Sequence, residues 1–178
     1  MLSVEVLQDY SYVMWSAVLM VFHLFLVGQD VRITRMPMFT KSWMVEHFGA
    51  ENEKAGVPEF MEMSFGYPDT GNGRFSDKLS YGDWFKFNNA QRVHLNYFEF
   101  IAITLVALMM AGLFQPLLAA SIGIMGIFGR ELYGIAYATL NNPNGRLIGA
   151  LVHEAGVFVN LGIVFYNVVP LCIRALSG

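Results

Sequence analysis

From Tyr97 to Leu140 the chain reads YFEFIAITLVALMMAGLFQPLLAASIGIMGIFGRELYGIAYATL, with Glu99, Arg130 and Glu131 as its only charged residues. A helix crossing the roughly 30 Å hydrocarbon core of a bilayer takes about 20 mostly apolar residues. The run therefore holds two spans, 97–113 and 116–140, separated by the Phe114-Gln115-Pro116 step. A connection this short makes the two helices antiparallel neighbours. Two further runs of spanning length flank them, 10–27 upstream and 147–175 downstream. The last is joined through Asn141-Asn142-Pro143-Asn144-Gly145, all residues suited to a turn. The reading is all-α: one domain over 1–178, an integral membrane up-and-down four-helix bundle, with a single long polar loop, 29–89, between the first two spans.

Composition agrees. Of 178 residues 55% are apolar and 14% charged, with a mean hydropathy of +0.46. An average soluble domain has about 45–50% apolar and about 25% charged residues, so the bilayer is the solvent and lipids are the first partners. Eleven Lys and Arg against fourteen Asp and Glu leave a net charge of -3, with no basic excess for nucleic acid. The single cysteine, Cys172, forms no internal disulfide and excludes a Cys-rich metal site. The N-terminal residues lack a basic n-region, and the first apolar run is longer than a signal-peptide core, so that run is expected to be a retained span.

The loop carries Arg32, Arg35, Lys41, Lys54, Arg74, Lys78 and Lys86, and Arg146 lies on the same side because two spans intervene. Arg174 lies opposite. The positive-inside tendency places both termini away from the cytosol or its equivalent compartment. Within the loop, Tyr67 to Arg74 reads as consecutive tight turns. Its glycines are not followed by a Lys-Ser/Thr pair, so they do not form a phosphate cradle. The stretch 32–48 mixes basic residues with Met36, Met38, Phe39, Trp43, Met44 and Phe48 and is expected along the headgroups, interrupted at Pro37.

A charge inside an apolar helix costs about 2.5–3.5 kcal/mol on insertion scales and needs a partner or a function. At about 100 degrees per residue, Arg92, Asn96 and Glu99 share one helical face, and so do Arg130, Tyr133 and Tyr137, with Glu131 turned elsewhere. Arg146 opens the last span on the same membrane side as Arg92. These residues line one polar pocket, or else form an internal ion-pair network in which Arg130 meets Glu99 or Glu154. His23 reads as a hydrogen-bonded packing histidine, and His94 as a surface or interface residue. His153 and Glu154 point to different faces, and no His-x-x-x-His pairing supports zinc, so no metal is expected.

The runs Phe87-Asn88-Asn89-Ala90-Gln91-Arg92-Val93-His94-Leu95-Asn96-Tyr97-Phe98-Glu99 and Gly129-Arg130-Glu131-Leu132-Tyr133-Gly134-Ile135-Ala136-Tyr137, with Arg146 following, resemble the membrane-associated proteins in eicosanoid and glutathione metabolism. This family includes microsomal glutathione transferases and prostaglandin E synthase. The resemblance covers roughly 84–155. It implies a homotrimer binding glutathione between subunits near the cytosolic face, with Arg92, Asn96, Glu99, Arg130, Tyr133 and Tyr137 as binding residues and Arg146 as the residue that stabilises the thiolate. Chemistry supplies an independent reason: glutathione carries two carboxylates for arginines, an ammonium for Glu99, and a thiol whose pKa a nearby cation lowers.

By the same resemblance the membrane is of endoplasmic-reticulum type, the alternative being the mitochondrial inner membrane. Three features depart from the family: the length of the 29–89 loop, Leu147 where prostaglandin E synthase has a hydroxyl residue, and the extra carboxylate of Glu154. Two functions stay open. One is a glutathione-dependent transferase or peroxidase acting on lipophilic electrophiles within the membrane. The other is a non-catalytic accessory subunit of a larger, respiratory-type membrane complex.

Overall fold

A computed structural model describes residues 4–57, 69–140 and 142–177, with side chains from residue 8 onward. The described residues form helices α1 (Val4–Arg35), α2 (Lys41–Ala55), α3 (Tyr81–Gly112), α4 (Pro116–Gly134) and α5 (Arg146–Ser177), with a 3-10 turn at Ser76–Lys78, a π-helical turn at Ile135–Thr139 and no strand. Four stretches are long and apolar enough to cross a membrane: Gln8–Arg35, Tyr81–Gly112, Pro116–Thr139 and Arg146–Ser177. The chain is a four-span membrane bundle.

Packed pairs give the directions. Tyr10 donates to the Met109 carbonyl at 3.1 Å and Tyr97 to that of Met20 at 3.1 Å, so α1 and α3 are antiparallel. His23 meets Glu131 on α4, which runs parallel to α1, while Thr104 of α3 meets His153 of α5. The order is therefore up, down, up, down. α4 packs against α1, α3 and α5, because its inward positions are small: Ala119, Ala120, Gly123, Gly126 and Gly129 are all buried. In a bilayer such residues let backbones approach where apolar burial alone gives no drive.

Two helices reach beyond the runs read from hydropathy. α1 continues past Val27 to Arg35 and stops at the turn before Pro37; α3 begins at Tyr81, well before Tyr97. Ser80 caps α3 by accepting from the Asp83 N–H at 3.2 Å and donating to the Asp83 carboxylate at 2.8 Å. Backbone hydrogen bonding is indifferent to polarity, so Asn88, Asn89, Gln91 and Arg92 continue a helix that hydropathy assigns to a loop. At 1.5 Å per residue, 32 residues extend about 48 Å, well past the hydrocarbon core. The non-helical part of the 29–89 loop is correspondingly shorter at both ends.

The remainder of that loop is folded. Thr40 caps α2, accepting from the Trp43 N–H at 3.3 Å, and Gly56 closes it with φ 65, a conformation that suits glycine. Phe39, Met44 and Phe87 are buried together with Val31 and Ala90, and Phe39 meets Phe87 edge to face at 5.5 Å. Phe39, Met44 and Phe48 thus pack on the ends of α1 and α3 and on Phe75, whereas Met36 and Val45 of the same stretch stay exposed. The expected turns at Tyr67 to Arg74 appear as bends from Thr70 onward, with Tyr67 and Pro68 outside the described residues. Asp69 organises them by accepting from the N–H groups of Gly71, Phe75 and Ser76 and from the Ser76 hydroxyl.

Candidate functional site

Arg130 is the centre of the polar layer. α4 presents it inward, 4% exposed, and its Nη1 donates to Asn96 Oδ1 at 2.6 Å. Its guanidinium lies 4.9 Å from the Tyr97 ring centroid, 5.2 Å from Phe100 and 5.9 Å from Tyr133. A charge-assisted hydrogen bond contributes about 1.5–3 kcal/mol and a desolvated cation–π contact about 2. Together they offset an insertion cost of about 2.5–3.5 kcal/mol. Neither Glu99 nor Glu154 comes within salt-bridge distance of Arg130, although Glu154 stands near enough to act on it electrostatically. The direct contacts of the guanidinium are the amide and the aromatic rings. Its Nε–H has no partner among the described residues.

One turn toward the loop side, Tyr133 and Tyr137 stack at 5.6 Å. Tyr137 sits in the π-helical turn, closed by the Leu140 N–H donating to Ile135 O at 2.9 Å. The wider turn keeps Tyr137 buried as the chain turns toward α5. Arg146, exposed at the start of α5, reaches back: its Nη1 donates to the Tyr137 hydroxyl at 3.4 Å, and its guanidinium stands 5.3 Å from that ring. Arg130, Tyr133, Tyr137 and Arg146 thus form a continuous cationic and aromatic strip across α4 and α5.

Arg92 and Glu99 stand apart. Asn96 turns toward α4, whereas Arg92 and Glu99 on the flank of the same face are exposed and make no hydrogen bond or ion pair with any described residue. A cavity bordered by Arg130 lies on the α1 side and is lined by none of Arg92, Asn96, Glu99 or Tyr137. Within one chain the seven sequence-chosen residues therefore form two linked groups and two outward charges.

The polar layer extends to residues that the sequence did not single out as site residues. The Tyr97 hydroxyl donates to Met20 O and lies 3.4 Å from His23 Nδ1, while His23 Nε2 meets the Glu131 carboxylate at 3.0 Å. His23 is thus hydrogen-bonded, as expected, and Glu131 does turn away from the Arg130 face. His153, buried, shares a hydrogen bond with Thr104 at 3.1 Å, while Glu154 is half-buried on the neighbouring face. Aromatic residues one and four positions after Asn96, Tyr97 and Phe100, were the available signal for the rings around Arg130.

The matching model of protein families is that of the MAPEG family, and it aligns with residues 11–168, from the first span through most of α5. That alignment takes in the Arg130 layer, the tyrosine pair, Arg146 and the extramembrane segment alike. A four-span integral membrane protein with this polar layer and this match belongs to the MAPEG family, the membrane-associated proteins in eicosanoid and glutathione metabolism.

Proposed function

We propose that the protein is a glutathione-dependent transferase or peroxidase acting on lipophilic electrophiles that partition into the membrane, and that it works as a homotrimer with glutathione between subunits. The observation that carries this reading is the pair of unpartnered charges, Arg92 and Glu99, on the outer flank of a membrane-spanning helix beside the Arg130 layer. Glu99, within the apolar span, calls for a partner from outside the chain, and Arg92, two turns nearer the loop side on the same face, is placed to meet the same partner. A second subunit together with a tripeptide bearing two carboxylates and an ammonium supplies that partner. Arg92 and Arg130 hold the carboxylates, Glu99 takes the ammonium, and Asn96, Tyr133 and Tyr137 shape the pocket.

Arg146 has the position needed for the thiol. It is exposed, aligned by Tyr137, and stands at the N-terminus of α5, whose free N–H groups add positive potential. Both effects favour thiolate over thiol, and the thiolate is the nucleophile. In conjugation its sulfur forms a bond to the electrophilic carbon as the leaving group departs. The apolar bundle surface brings in the lipophilic partner from the bilayer. An endoplasmic-reticulum-type membrane fits this role.

The folded segment over the loop side supports a second reading. Its aromatic core covers the ends of α1 and α3 on the face where glutathione would enter, as suits a subunit held in a larger complex, including one of the mitochondrial inner membrane. The deciding experiment measures thiolate absorbance of added glutathione and conjugation to a chlorodinitrobenzene-type electrophile, for wild type and Arg146→Ala. The enzyme reading expects thiolate and turnover in wild type, both strongly reduced in the variant with affinity largely retained. Absence of binding, thiolate and turnover in wild type establishes the scaffold reading.

A further inference from the structure

Arg130 has one hydrogen bond among the described residues, from Nη1 to Asn96, and its Nε–H has none. A guanidinium held at one end can swing about that bond. The aromatic enclosure is what stops it, so the placement of Arg130 depends on what holds the rings. Tyr97 is fixed by its hydroxyl at Met20 O. The Phe100 ring, 5.2 Å from the guanidinium, has no polar atom of its own and needs a neighbour to fix it.

His153 of α5 is that neighbour. It is 1% exposed and meets both rings at steep angles, Phe100 at 6.3 Å and 87° and Tyr97 at 6.3 Å and 73°, within the range of edge-to-face pairs. Its Nε2 lies 3.1 Å from Thr104 Oγ1, and the same hydroxyl is 2.8 Å from Phe100 O. The imidazole is thereby tied to the helical turn that carries Phe100. Nδ1 faces Gly126 O at 3.4 Å. α4 leaves room for the ring, since a Cβ at Gly126 would stand 3.4 Å from Nδ1 and one at Gly129 only 2.9 Å from the His153 backbone nitrogen. A buried imidazole is a costly filler in an apolar span, where leucine would pack with no polar group to satisfy. It adds a ring whose orientation is fixed by hydrogen bonds at both nitrogens.

We propose that His153 is a positioning residue: through Phe100 and Tyr97 it holds the Arg130 guanidinium in the pose that receives a glutathione carboxylate. The carboxylate rests on the glutathione reading above; the hold on Arg130 does not. Arg146 is held by Tyr137 instead, so the thiolate does not depend on His153.

The test uses the full chain in detergent micelles and has two arms. The first needs no glutathione: labelling with the arginine reagent phenylglyoxal, read residue by residue by peptide mass spectrometry, with the exposed Arg92 and Arg146 as internal references. Arg130 is expected to be protected in wild type and to label roughly five- to tenfold faster in His153→Leu, the equivalent of about one ring contact. Val157→Ala, a cavity one turn further along the same buried face of α5, should leave it protected. Thr104→Val removes only the hydroxyl tie and should give a smaller rise, which serves if His153→Leu folds poorly. Unchanged Arg130 labelling in both variants, or the same rise in Val157→Ala, overturns the proposal.

The second arm measures by calorimetry the Kd of glutathione, of its glycine ethyl ester and of 4-aminobutanoyl-cysteinylglycine, each analogue lacking one carboxylate. In His153→Leu the Kd of glutathione should rise roughly tenfold, with thiolate absorbance at saturation unchanged, and the rise should vanish for the analogue that lacks the carboxylate held by Arg130. A general weakening of the bundle raises all three alike, and that result overturns the binding role. A wild type that binds no glutathione refutes the function reading and the carboxylate with it, while the labelling still decides whether His153 holds Arg130.

Discussion

Replacing Gly149 by alanine sets a methyl group against backbone on the neighbouring helix. Its Cβ would stand 2.5 Å from the Gly129 carbonyl oxygen and 2.8 Å from the Tyr133 Cα, and nearer still to the Tyr133 nitrogen. None of these atoms can rotate away as a flexible side chain would. Restoring ordinary contact at 3.4 Å or more means that α4 and α5 part by about 1 Å at this point. Overpacking of this kind costs about 1–3 kcal/mol. The same displacement acts on Arg146, one turn away, whose bond to the Tyr137 hydroxyl is already 3.4 Å long and has no slack. Gly162→Ala is the matched control, since a Cβ there meets nothing within 4 Å and helix propensity favours alanine by about 0.8–1 kcal/mol. Gly149→Ala shares that propensity gain, so denaturation in mixed micelles followed by circular dichroism should separate the two variants by the overpacking cost, roughly 1–3 kcal/mol. Equal stability of the two would refute the close α4–α5 crossing on which the placement of Arg146 depends.

Three other outcomes are expected. Ser16 is buried with its hydroxyl unpartnered, so Ser16→Ala should be neutral or stabilising by about 1 kcal/mol, and a marked loss in the same assay would point to an acceptor for that hydroxyl. Burial acts to raise the Asp69 pKa, but the hydrogen bonds from the Ser76 hydroxyl and the N–H groups of Ser76, Gly71 and Phe75 outweigh it and hold it below 3.8. A folded pKa below the unfolded one gives stability that is complete above the unfolded value and lost as pH falls through the folded value. Asp69→Asn should therefore cost on the order of 1 kcal/mol near pH 7, and wild type and variant should converge in acid below the folded pKa when extramembrane proteolysis is followed against pH. Glu99→Gln should weaken glutathione binding by roughly tenfold in calorimetry, as the ammonium loses its counter-charge; unchanged affinity removes Glu99 from the site.

The bundle was legible because spanning helices must satisfy their backbone internally and need length and apolarity to do so. The runs around Met20, Leu108, Gly123 and Val157 state both. The helix ends were less legible, since the signal at Ser80 and Asp83 is a reciprocal cap rather than a change in hydropathy. Helical periodicity grouped Arg92, Asn96 and Glu99 correctly on one face but did not distinguish Asn96, turned to Arg130, from its two exposed neighbours. Of the carboxylates offered as partners of Arg130, neither reaches it in a salt bridge, though Glu154 acts on it from farther off; the amide and aromatic rings that touch it were not legible because sequence reading looks first for opposite charge. The π-helical turn at Ile135–Thr139 has no distinctive residue pattern. The burial of Phe39, Met44 and Phe48 depended on Phe75 and Phe87, far along the chain.

The most direct test of the central claim is an experimental density map of the purified protein with glutathione present. The account predicts a trimer with glutathione density between subunits, carboxylates at Arg92 and Arg130, the ammonium at Glu99 and the sulfur beside Arg146. A map in which Arg92 and Glu99 contact a different protein or lipid headgroups, with no glutathione at saturating concentration, would contradict it.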